Sequence, residues 1–514
     1  MDMGLVAHAQ ANPDRTALAL GGQRRSYAEL NARVNHLANG LASHGIGPGD
    51  KVALMLPNGF EFFEVTQAAA KLGAIATPIN YHFKSAEVEY IVNDSDAKVF
   101  VFAAEFVRPD VLAPILPRLQ AAPLRLCVGG ESPPGAHDYE AFLCTHPVTE
   151  PLAAGAGGGS TMIYTSGTTG RPKGVYRRPS ARGQAAQLMQ TFVKLFHFAP
   201  GDVHLLTGPL YHAAPNAFAS IHIVLGGTVV IMPRFDAEQA LRLIEAERVT
   251  TTHMVPTMFV RILALPDDRR RRHDLSSLKS VVHAAAPCPV DVKWKIMELF
   301  GPDTVHEYYA ATEVGGTYIS PAEWRRKPGS VGRPLPNAEV KILDDDGGEC
   351  APGVVGTIYM RVNSEADFEY YKDAEKTRAN RRGDFATVGD MGYFDADGYL
   401  FIADRKTDMV ISGGVNIYPR EIEEVLITHP KVLDVAVIGV PDAEWGEQLK
   451  AIVQLKPGEQ ADADEIIAFA RARLADYKRP RSVDFVDELP REPSGKLYKR
   501  KLKERYWAGR EKMV

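Results

Sequence analysis

Apolar residues in the N-terminal part of the chain alternate between two periods. From residue 27 to residue 41 they recur every three or four positions, at Leu30, Val34, Leu37 and Leu41, which predicts a helix with one buried face. Short apolar runs of strand length alternate with further helical segments. The pattern predicts strands over 51–56, 74–79 and 97–102 and helices over 59–72 and 85–93. Such alternation is typical of a parallel sheet covered by helices.

The same alternation returns between residues 183 and 300, and this predicts a second α/β layer. Residues 332–402 instead hold short strands broken by Gly, Asp and Pro, which indicates a small antiparallel region. The last hundred or so residues predict a separate α+β domain. We therefore expect a multi-domain α/β protein, with an N-terminal domain over 1–404, a linker at about 404–408 and a C-terminal domain over 408–514.

Composition excludes several classes of protein. The 514 residues are 45% hydrophobic and 24% charged, with a formal net charge of −5, so nucleic acid is not an expected partner. The longest apolar stretch, 221–232, is too short to span a membrane and contains Gly226 and Gly227. No signal peptide is evident, and the four cysteines follow no metal or disulfide pattern. We expect a cytoplasmic protein.

One run of charge, Arg269–Arg272, has two interpretations. Acidic neighbours at Asp267 and Asp268 favour a solvated loop between a helix and the strand predicted over 278–283. The alternative is a contact with an anionic membrane surface, as in peripheral membrane binding, or with the phosphates of a ligand.

The segment from Tyr164 to Val175 has the composition of a phosphate-binding loop. Its glycines let backbone N–H groups converge on an anion, and its hydroxyls and lysine add donors and positive charge. A polar surface loop is the alternative, but the preceding strand pattern at 161–164 favours phosphate binding. The Walker A spacing is absent. The candidate residues are Thr165, Ser166, Gly167, Thr168, Thr169, Gly170 and Lys173.

This segment resembles the signature of the adenylate-forming superfamily, which includes acyl-CoA synthetases, adenylation domains and firefly luciferase. Further motifs follow in the family's order, so the resemblance covers nearly the whole chain. It implies a large N-terminal domain with a mobile C-terminal lid. It also implies that a small-molecule carboxylic acid reacts with ATP and Mg²⁺ to give acyl-AMP and pyrophosphate, and that CoA then takes the acyl group.

The motif around Tyr309 carries the nucleotide part of the resemblance. It implies adenine stacking by Tyr309, an α-phosphate contact by Thr312 and a catalytic role with Mg²⁺ binding for Glu313. The family usually has Gly where this chain has Ala310, and a methyl group there would trim the acyl pocket or shift the nucleotide. A strand end followed by a Gly turn would not by itself require Glu313.

Two later motifs add charged residues. Asp390 matches the family carboxylate that accepts both ribose hydroxyls, and Arg405 matches a second nucleotide contact. Lys496, in the sequence Pro-Ser-Gly-Lys, matches the catalytic lysine that touches the acyl carboxylate and the α-phosphate. Without the family context, these residues would be interpreted as a hairpin turn, a surface arginine and a surface lysine.

Weaker resemblances to the family indicate which residues would bind the carboxylic acid. His212 resembles the residue that gates the acid tunnel, although a turn-bound histidine is the alternative. Ala284 begins a loop whose small residues leave room beside the adenine and acyl sites. The resemblance places Ala285, Ala286 and Pro287 of this loop against the nucleotide, and Ala284, Ala310 and Gly315 on the acid side. We expect a hydrophobic acid, with fatty acids ahead of aryl or steroid-type acids.

Gly413 and Gly414 resemble the segment that lines the CoA tunnel, and an ordinary turn between a strand and a helix is the alternative. Thr407 occupies the usual position of the hinge residue. A stand-alone acid:CoA ligase is the leading hypothesis. The alternatives are an acyl-AMP ligase that loads a carrier protein, a luciferase-like oxygenase and a non-catalytic nucleotide-binding protein. A homodimer is compatible with the sequence, which carries no signal of oligomeric state.

Overall fold

Helices and strands alternate through most of the chain in the computed structural model, which describes residues 3–151, 160–165, 172–177, 182–362, 367–492 and 495–508. The α-helices are α1 Leu5–Ala11, α2 Tyr27–Ser43, α3 Phe60–Lys71, α4 Ser85–Asp94, α5 Tyr139–Cys144, α6 Arg182–Leu195, α7 Ala213–Val224, α8 Ala237–Ala246, α9 Pro256–Leu263, α10 Asp267–Arg270, α11 Val290–Phe300, α12 Pro321–Arg326, α13 Ala374–Ala379, α14 Pro419–Leu426, α15 Ala463–Arg471 and α16 Lys499–Trp507.

The strands range from short bridging pairs to the long C-terminal hairpin. They are β1 Thr16–Leu20, β2 Gln23–Ser26, β3 Lys51–Met55, β4 Ile75–Pro78, β5 Ala97–Ala103, β6 Leu124–Val128, β7 His137–Asp138, β8 Ser160–Thr161, β9 Ile163–Thr165, β10 Lys173–Arg177, β11 Val203–Leu206, β12 Thr228–Ile231, β13 Thr251–Met254, β14 Ser280–His283, β15 Val305–Tyr309, β16 Thr317–Ile319, β17 Arg333–Pro334, β18 Ala338–Leu343, β19 Gly356–Val362, β20 Phe368–Tyr370, β21 Arg381–Arg382, β22 Phe385–Ala386, β23 Asp390–Phe394, β24 Leu400–Arg405, β25 Val410–Ser412, β26 Val415–Ile417, β27 Val432–Asp442, β28 Gly446–Leu455 and β29 Ser482–Phe485.

The chain folds into two compact units. The first unit comprises Met1–His253, Arg272–Val282 and Ser364–Ala379. The second unit comprises Met254–Arg271, His283–Asn363 and Asn380–Val514.

The first unit contains the first predicted α/β layer and most of the second. One sheet has the strand order β7-β6-β5-β3-β4-β8, and the pairings along it are parallel. The other contains parallel pairings of β1 with β12, β12 with β11, and β11 with β13. The helix predicted over 27–41 is α2, and its four apolar positions are fully buried in the core. The predicted α/β class is therefore confirmed.

Helix α2 begins where its sequence dictates. The Ser26 side chain accepts a hydrogen bond from the Glu29 backbone N–H, while the Glu29 carboxylate accepts from the Ser26 N–H. This capping box satisfies two backbone donors that the first helical turn leaves without partners.

The strand predicted over 161–164 is instead two strands in different sheets. β8 pairs in parallel with β4, whereas β9 pairs antiparallel with β10. Met162 joins them, and its N–H donates to the Ala76 carbonyl. The apolar run of Met162, Ile163 and Tyr164 is buried and crosses this change of sheet, so periodicity alone could not show it.

The second unit contains the predicted antiparallel region and the C-terminal α+β fold. One sheet has the strand order β21-β22-β19-β23-β24, with β18 paired to β19. Another has the order β26-β25-β28-β27, and β29 adds a parallel pairing to β28. Ile422 of α14 and Ile466 of α15 are buried in the core of this second sheet. Within the described residues, no helix combines the length and apolar character needed to cross a bilayer.

Candidate active site

The two ends of the predicted phosphate-binding loop are adjacent in the first unit. Thr165 and Lys173 are paired residues of the antiparallel strands β9 and β10. Ser166, Gly167, Thr168, Thr169 and Gly170 lie outside the described residues. Strands β9 and β10 therefore form a hairpin. Gly174, in its second strand, packs closely against Tyr164 of its first strand. A Cβ on Gly174 would lie 3.0 Å from the Tyr164 ring, whose hydroxyl donates to Asp94 Oδ2 at 2.6 Å.

Lys173 has an unusual electrostatic environment. Its ammonium lies 5.5 Å from the centre of the Tyr370 ring. Burial and the neighbouring positive charge of Lys376 lower the pKa of Lys173 to about 8, while Asp373 opposes the shift. Two lysines that repel each other at the base of a glycine- and hydroxyl-rich loop would be stabilised by a bound polyanion.

His212 lies directly before the first residue of α7 in the first unit. Its ring lies 4.5 Å from that of Tyr211, which contacts Tyr81 edge-on at 5.0 Å. The segment before it is held by Asn58, which is only 5% exposed. Asn58 Nδ2 donates to the carbonyls of Gly208 and Met232, both at 3.0 Å, and its Oδ1 accepts from the Leu210 N–H at 2.9 Å.

Asn58 was missed by the sequence reasoning. Its only sequence signal is an Asn directly after Pro57 at the end of a predicted strand, which is also typical of an ordinary turn.

In the second unit the structure brings Tyr309, Asp390 and Arg405 together. The Tyr309 hydroxyl donates to Asp390 Oδ2 at 2.7 Å, and Arg405 Nε lies 3.3 Å from Asp390 Oδ1. Asp390 and Arg405 are paired residues of strands β23 and β24, so the sheet itself sets their spacing. Burial, and next the Asp390 carboxylate, raise the pKa of Tyr309 well above its usual value, so the phenol stays protonated.

Thr312 and Glu313 lie in the turn that follows β15. The Ala311 N–H donates to the Val314 carbonyl at 3.1 Å and closes this turn. Ala310 and Gly315 lie at its two ends and are half-buried, whereas Glu313 is only 8% exposed. A carboxylate buried to this extent requires a positive partner or strong donors.

Lys496 lies near the same carboxylates. Burial, and next the positive charge of Arg405, lower the pKa of Lys496, while Glu492, Asp390 and Glu313 oppose the shift. The acidic and basic residues that the three motifs contribute to this unit therefore share one electrostatic environment.

Arg491 anchors the loop that carries Lys496. Its guanidinium makes two hydrogen bonds to Asp434, at 2.6 and 2.7 Å, and Nη1 donates to the Gly495 carbonyl at 2.9 Å. Gly495 has φ +80°, and a Cβ there would lie 2.9 Å from Thr257 Oγ1. Pro493 and Ser494 lie outside the described residues. The bidentate ion pair and the close approach of Gly495 fix the backbone that leads into Lys496.

The loop that begins at Ala284 connects β14 to α11. Ala284 is buried, whereas Ala285 and Pro287 are exposed and Ala286 is half-buried. Ala285 has φ +71°, a conformation that residues other than glycine rarely adopt.

Gly413 and Gly414 form the tip of a hairpin between β25 and β26, so the alternative of a turn between a strand and a helix is wrong. Both have positive φ, +57° and +79°. A Cβ on Gly413 would lie 2.5 Å from the Trp445 ring, whereas one on Gly414 would meet no atom within 4 Å. Near the predicted hinge, Lys503 Nζ donates to the Thr407 carbonyl at 3.2 Å.

The arginine run is engaged in local contacts. Arg270 lies in the short helix α10, pairs with Asp267 and donates to the Leu263 carbonyl at 2.6 Å. Arg271 pairs with Glu298 at 3.1 Å, and Arg272 pairs with Glu238 at 2.6 Å. These pairings favour the structural interpretation over a membrane or ligand contact, although the segment is partly helical and not wholly a loop.

Comparisons with known proteins agree with this geometry. Residues 5–366 match the family of AMP-binding enzymes, and residues 421–496 match the C-terminal domain of AMP-binding enzymes. Feruloyl-CoA synthase from Amycolatopsis sp. is 35% identical over 504 residues, covering 98% of both chains. Long-chain-fatty-acid–CoA ligase FadD13 from Mycobacterium tuberculosis is 35% identical over 500 residues, covering 94% of both chains.

A third relative, fatty acid–[acyl-carrier-protein] ligase ScoC from Streptomyces coeruleorubidus, is 31% identical over 518 residues, covering 99% of this chain and 96% of that protein. Among solved structures, the anthranilate CoA ligase AuaEII in complex with anthranoyl-AMP has a TM-score of 0.87 at 29% identity, covering 98% of this chain and 96% of that one. The chain belongs to the AMP-binding enzyme family, on the acyl-CoA synthetase branch of the adenylate-forming superfamily, and is an acid–thiol ligase.

Proposed function

We propose that this enzyme activates a hydrophobic carboxylic acid with ATP to give acyl-AMP and pyrophosphate, and then transfers the acyl group to CoA with release of AMP. The observation that carries the proposal is the convergence of Lys496, Arg405, Asp390 and Glu313 in the second unit. A carboxylate that attacks a polyphosphate brings like charges together, so basic groups with fixed positions contribute most of the stabilisation.

Each residue has one role in the adenylation step. Tyr309 stacks on the adenine, and Asp390 accepts hydrogen bonds from the ribose hydroxyls while Arg405 orients it. Lys496 lies between the acid carboxylate and the α-phosphate as oxygen attacks phosphorus and pyrophosphate leaves. Thr312 donates to the α-phosphate, and the loop bounded by Thr165 and Lys173 holds the departing pyrophosphate. Positioning of the two reactants supplies much of the remaining rate.

Glu313 is the residue that would hold Mg²⁺. Its buried carboxylate fits a hard cation that prefers oxygen ligands and shares them with substrate phosphates. When bound there, the ion would neutralise phosphate charge. The protein's own part is to aim this carboxylate at the nucleotide.

Thioester formation needs a different arrangement, because the Lys496 side chain and the CoA thiol cannot occupy the same space. We propose that the lysine withdraws as the C-terminal domain over 408–514 rotates about the linker at 404–408. The thiol arm would then pass the hairpin tip, where Gly413 and Gly414 contribute no side chain of their own and the Trp445 ring lies beside Gly413. The acyl carbon forms a bond to sulfur, and AMP leaves.

The acid is proposed to be hydrophobic. Ala284 and Ala310 would border it with small side chains, and His212 would lie at its entrance. Relatives include a long-chain-fatty-acid–CoA ligase and, among aryl acids, feruloyl-CoA synthase and an indoleacetate–CoA ligase from Aromatoleum aromaticum. We place fatty acids first and aryl acids second.

A second candidate acceptor is a carrier protein. The similarity to ScoC, whose acceptor is an acyl-carrier protein, favours this alternative. Adenylation would be unchanged, and only the thiol would differ.

One experiment separates these possibilities. Pyrophosphate release is measured across fatty and aryl acids with ATP and Mg²⁺, with no acceptor, with CoA or with a phosphopantetheinylated carrier protein. The proposal predicts acid-dependent release that turns over steadily only with CoA. Steady turnover with the carrier protein alone would establish the second candidate. Absence of acid-dependent release across the panel would refute both.

A further inference from the structure

A buried carboxylate lies on the strand that carries Tyr309, the residue proposed to stack on the adenine. Glu307, on β15, is 6% exposed, and its Oε2 lies 2.5 Å from Lys293 Nζ and 3.5 Å from His283 Nε2. Lys293 and His283 are both fully buried. The Lys293 ammonium also lies 4.5 Å from the centre of the Trp324 ring, which completes its surroundings with a cation–π contact.

The two basic partners flank one loop. His283 is the last residue of β14, directly before Ala284, and Lys293 lies in the first turn of α11, just after Pro289. The Glu307 carboxylate therefore contacts one residue on each side of the segment 284–289. This segment contains the residues that we propose to lie beside the nucleotide.

The same carboxylate belongs to the strand that carries Tyr309. Residues two apart on a strand project from the same face, so Glu307 and Tyr309 are linked through β15. Glu307 thus ties together the two elements proposed to hold the adenine, the strand end and the 284–289 loop.

Stability alone does not explain this cluster. Burying two charges costs as much free energy as their attraction returns, and well-packed apolar residues are often as stable. Burial lowers the pKa of Lys293, and the attraction of Glu307 opposes the shift. The loop between the partners also contains Ala285 at φ +71°, a conformation that surrounding contacts must enforce. A costly ion pair that holds a strained loop is the arrangement expected where geometry serves binding.

We infer that Glu307, with Lys293 and His283, is a positioning residue that fixes the adenine-binding loop against β15 and thereby sets the affinity for ATP. The inference rests on the proposed function, because that proposal places adenine between the loop and Tyr309.

The test separates positioning from stability. Lys293→Met leaves a buried carboxylate without its main partner, whereas the double variant Lys293→Met/Glu307→Leu removes both charges. The dissociation constant of ATP is measured by calorimetry without acid, together with the melting temperature and the KM of the best acid. We expect the double variant to recover most of the melting temperature lost in Lys293→Met. It should still bind ATP about tenfold more weakly, with the acid KM changed less than about twofold.

Two controls keep the test decisive. Lys71→Met, in the first unit, removes another largely buried lysine that pairs with Glu150 at 2.6 Å, and ATP affinity should not change. Lys293→Arg keeps the charge and should bind ATP more tightly than Lys293→Met. A double variant with wild-type ATP affinity would overturn the inference. The inference would also be overturned if Lys71→Met weakened ATP binding in proportion to the melting temperature that it loses, because lost stability alone would then explain the weaker binding.

Failure of the proposed function would appear in the pyrophosphate-release assay and not in the ATP-binding measurements. A wild-type enzyme that binds ATP but releases no pyrophosphate with any acid would refute the proposed reaction. The calorimetric comparison of the variants would still decide the role of Glu307.

Discussion

In the proposed mechanism, Lys496 is the residue on which the adenylation step depends most. Its loop is fixed by the Arg491–Asp434 pair, and its ammonium lies near Glu313 and Asp390. We expect Lys496→Ala to lower the single-turnover adenylation rate by roughly 10²-fold or more, on the order of 3 kcal/mol of barrier. Lys501→Ala, an exposed lysine on α16, serves as the matched control and should have no effect. A loss under about threefold in Lys496→Ala would rule out the assigned role.

Lys173 gives a prediction of pH dependence. Because burial and Lys376 lower its pKa to about 8, the side chain of the free enzyme is charged below that pH and loses its charge above it. ATP binding should therefore weaken as the pH rises from about 7 to 9. In Lys173→Arg the guanidinium stays charged throughout this range, so the dependence should flatten. Calorimetric titrations at several pH values make the comparison, and identical profiles for the two proteins would contradict it.

At the scale of elements, the proposed role of the hairpin tip at 413–414 predicts that a substitution there affects the two half-reactions differently. In Gly413→Leu the new side chain would meet the Trp445 ring at 2.5 Å from its Cβ and would occupy the proposed path of the thiol. We expect thioester formation to slow at least about tenfold and adenylation to change less than about threefold. Gly414→Leu imposes the same positive-φ strain in open space, so it measures the strain alone. Equal loss of both half-reactions in Gly413→Leu would refute the prediction.

The sequence predicts those helices, strands and site residues whose signals are local in the chain, and it misses those that depend on distant contacts. Helix α2 was predicted because its apolar stripe is local, and the charged candidate residues were named because they lie in contiguous motifs that resemble those of the family. The split of 161–164 into β8 and β9 was missed because strand pairing depends on distant partners such as Ala76. Asn58 and Glu307 were missed for a similar reason, since only the folded chain shows what they contact.

At the scale of the whole molecule, a cluster of histidines in the core of the first unit predicts sensitivity to acid. Thr251 Oγ1 lies 3.0 Å from His204 Nδ1 and 2.8 Å from His222 Nε2, and the two rings stack at 4.3 Å. Burial lowers the pKa of His222 and of His253 to about 4, and that of His204 well below its usual value.

The sign of the effect follows from proton binding. In the unfolded chain these histidines titrate near their ordinary pKa of about 6.5, so between that pH and about 4 the unfolded state binds more protons. The free energy of unfolding should therefore fall as the pH falls through this window. We expect His222→Gln to lose less of its melting temperature between pH 6.5 and 4 than the wild type. Equal losses in thermal scans would show that the cluster is not responsible.

The central claim is that one enzyme makes an acyl-adenylate and passes its acyl group to a thiol. The most direct measurement is mass spectrometry of a reaction that contains the protein, ATP, Mg²⁺ and the acid that gives the fastest pyrophosphate release, before and after CoA is added. We predict acyl-AMP before the addition and acyl-CoA with AMP after it, with both acyl products strongly diminished in Lys496→Ala at the same reaction time. Absence of acyl-AMP from the wild-type reaction, or undiminished acyl-AMP in Lys496→Ala, would contradict this account.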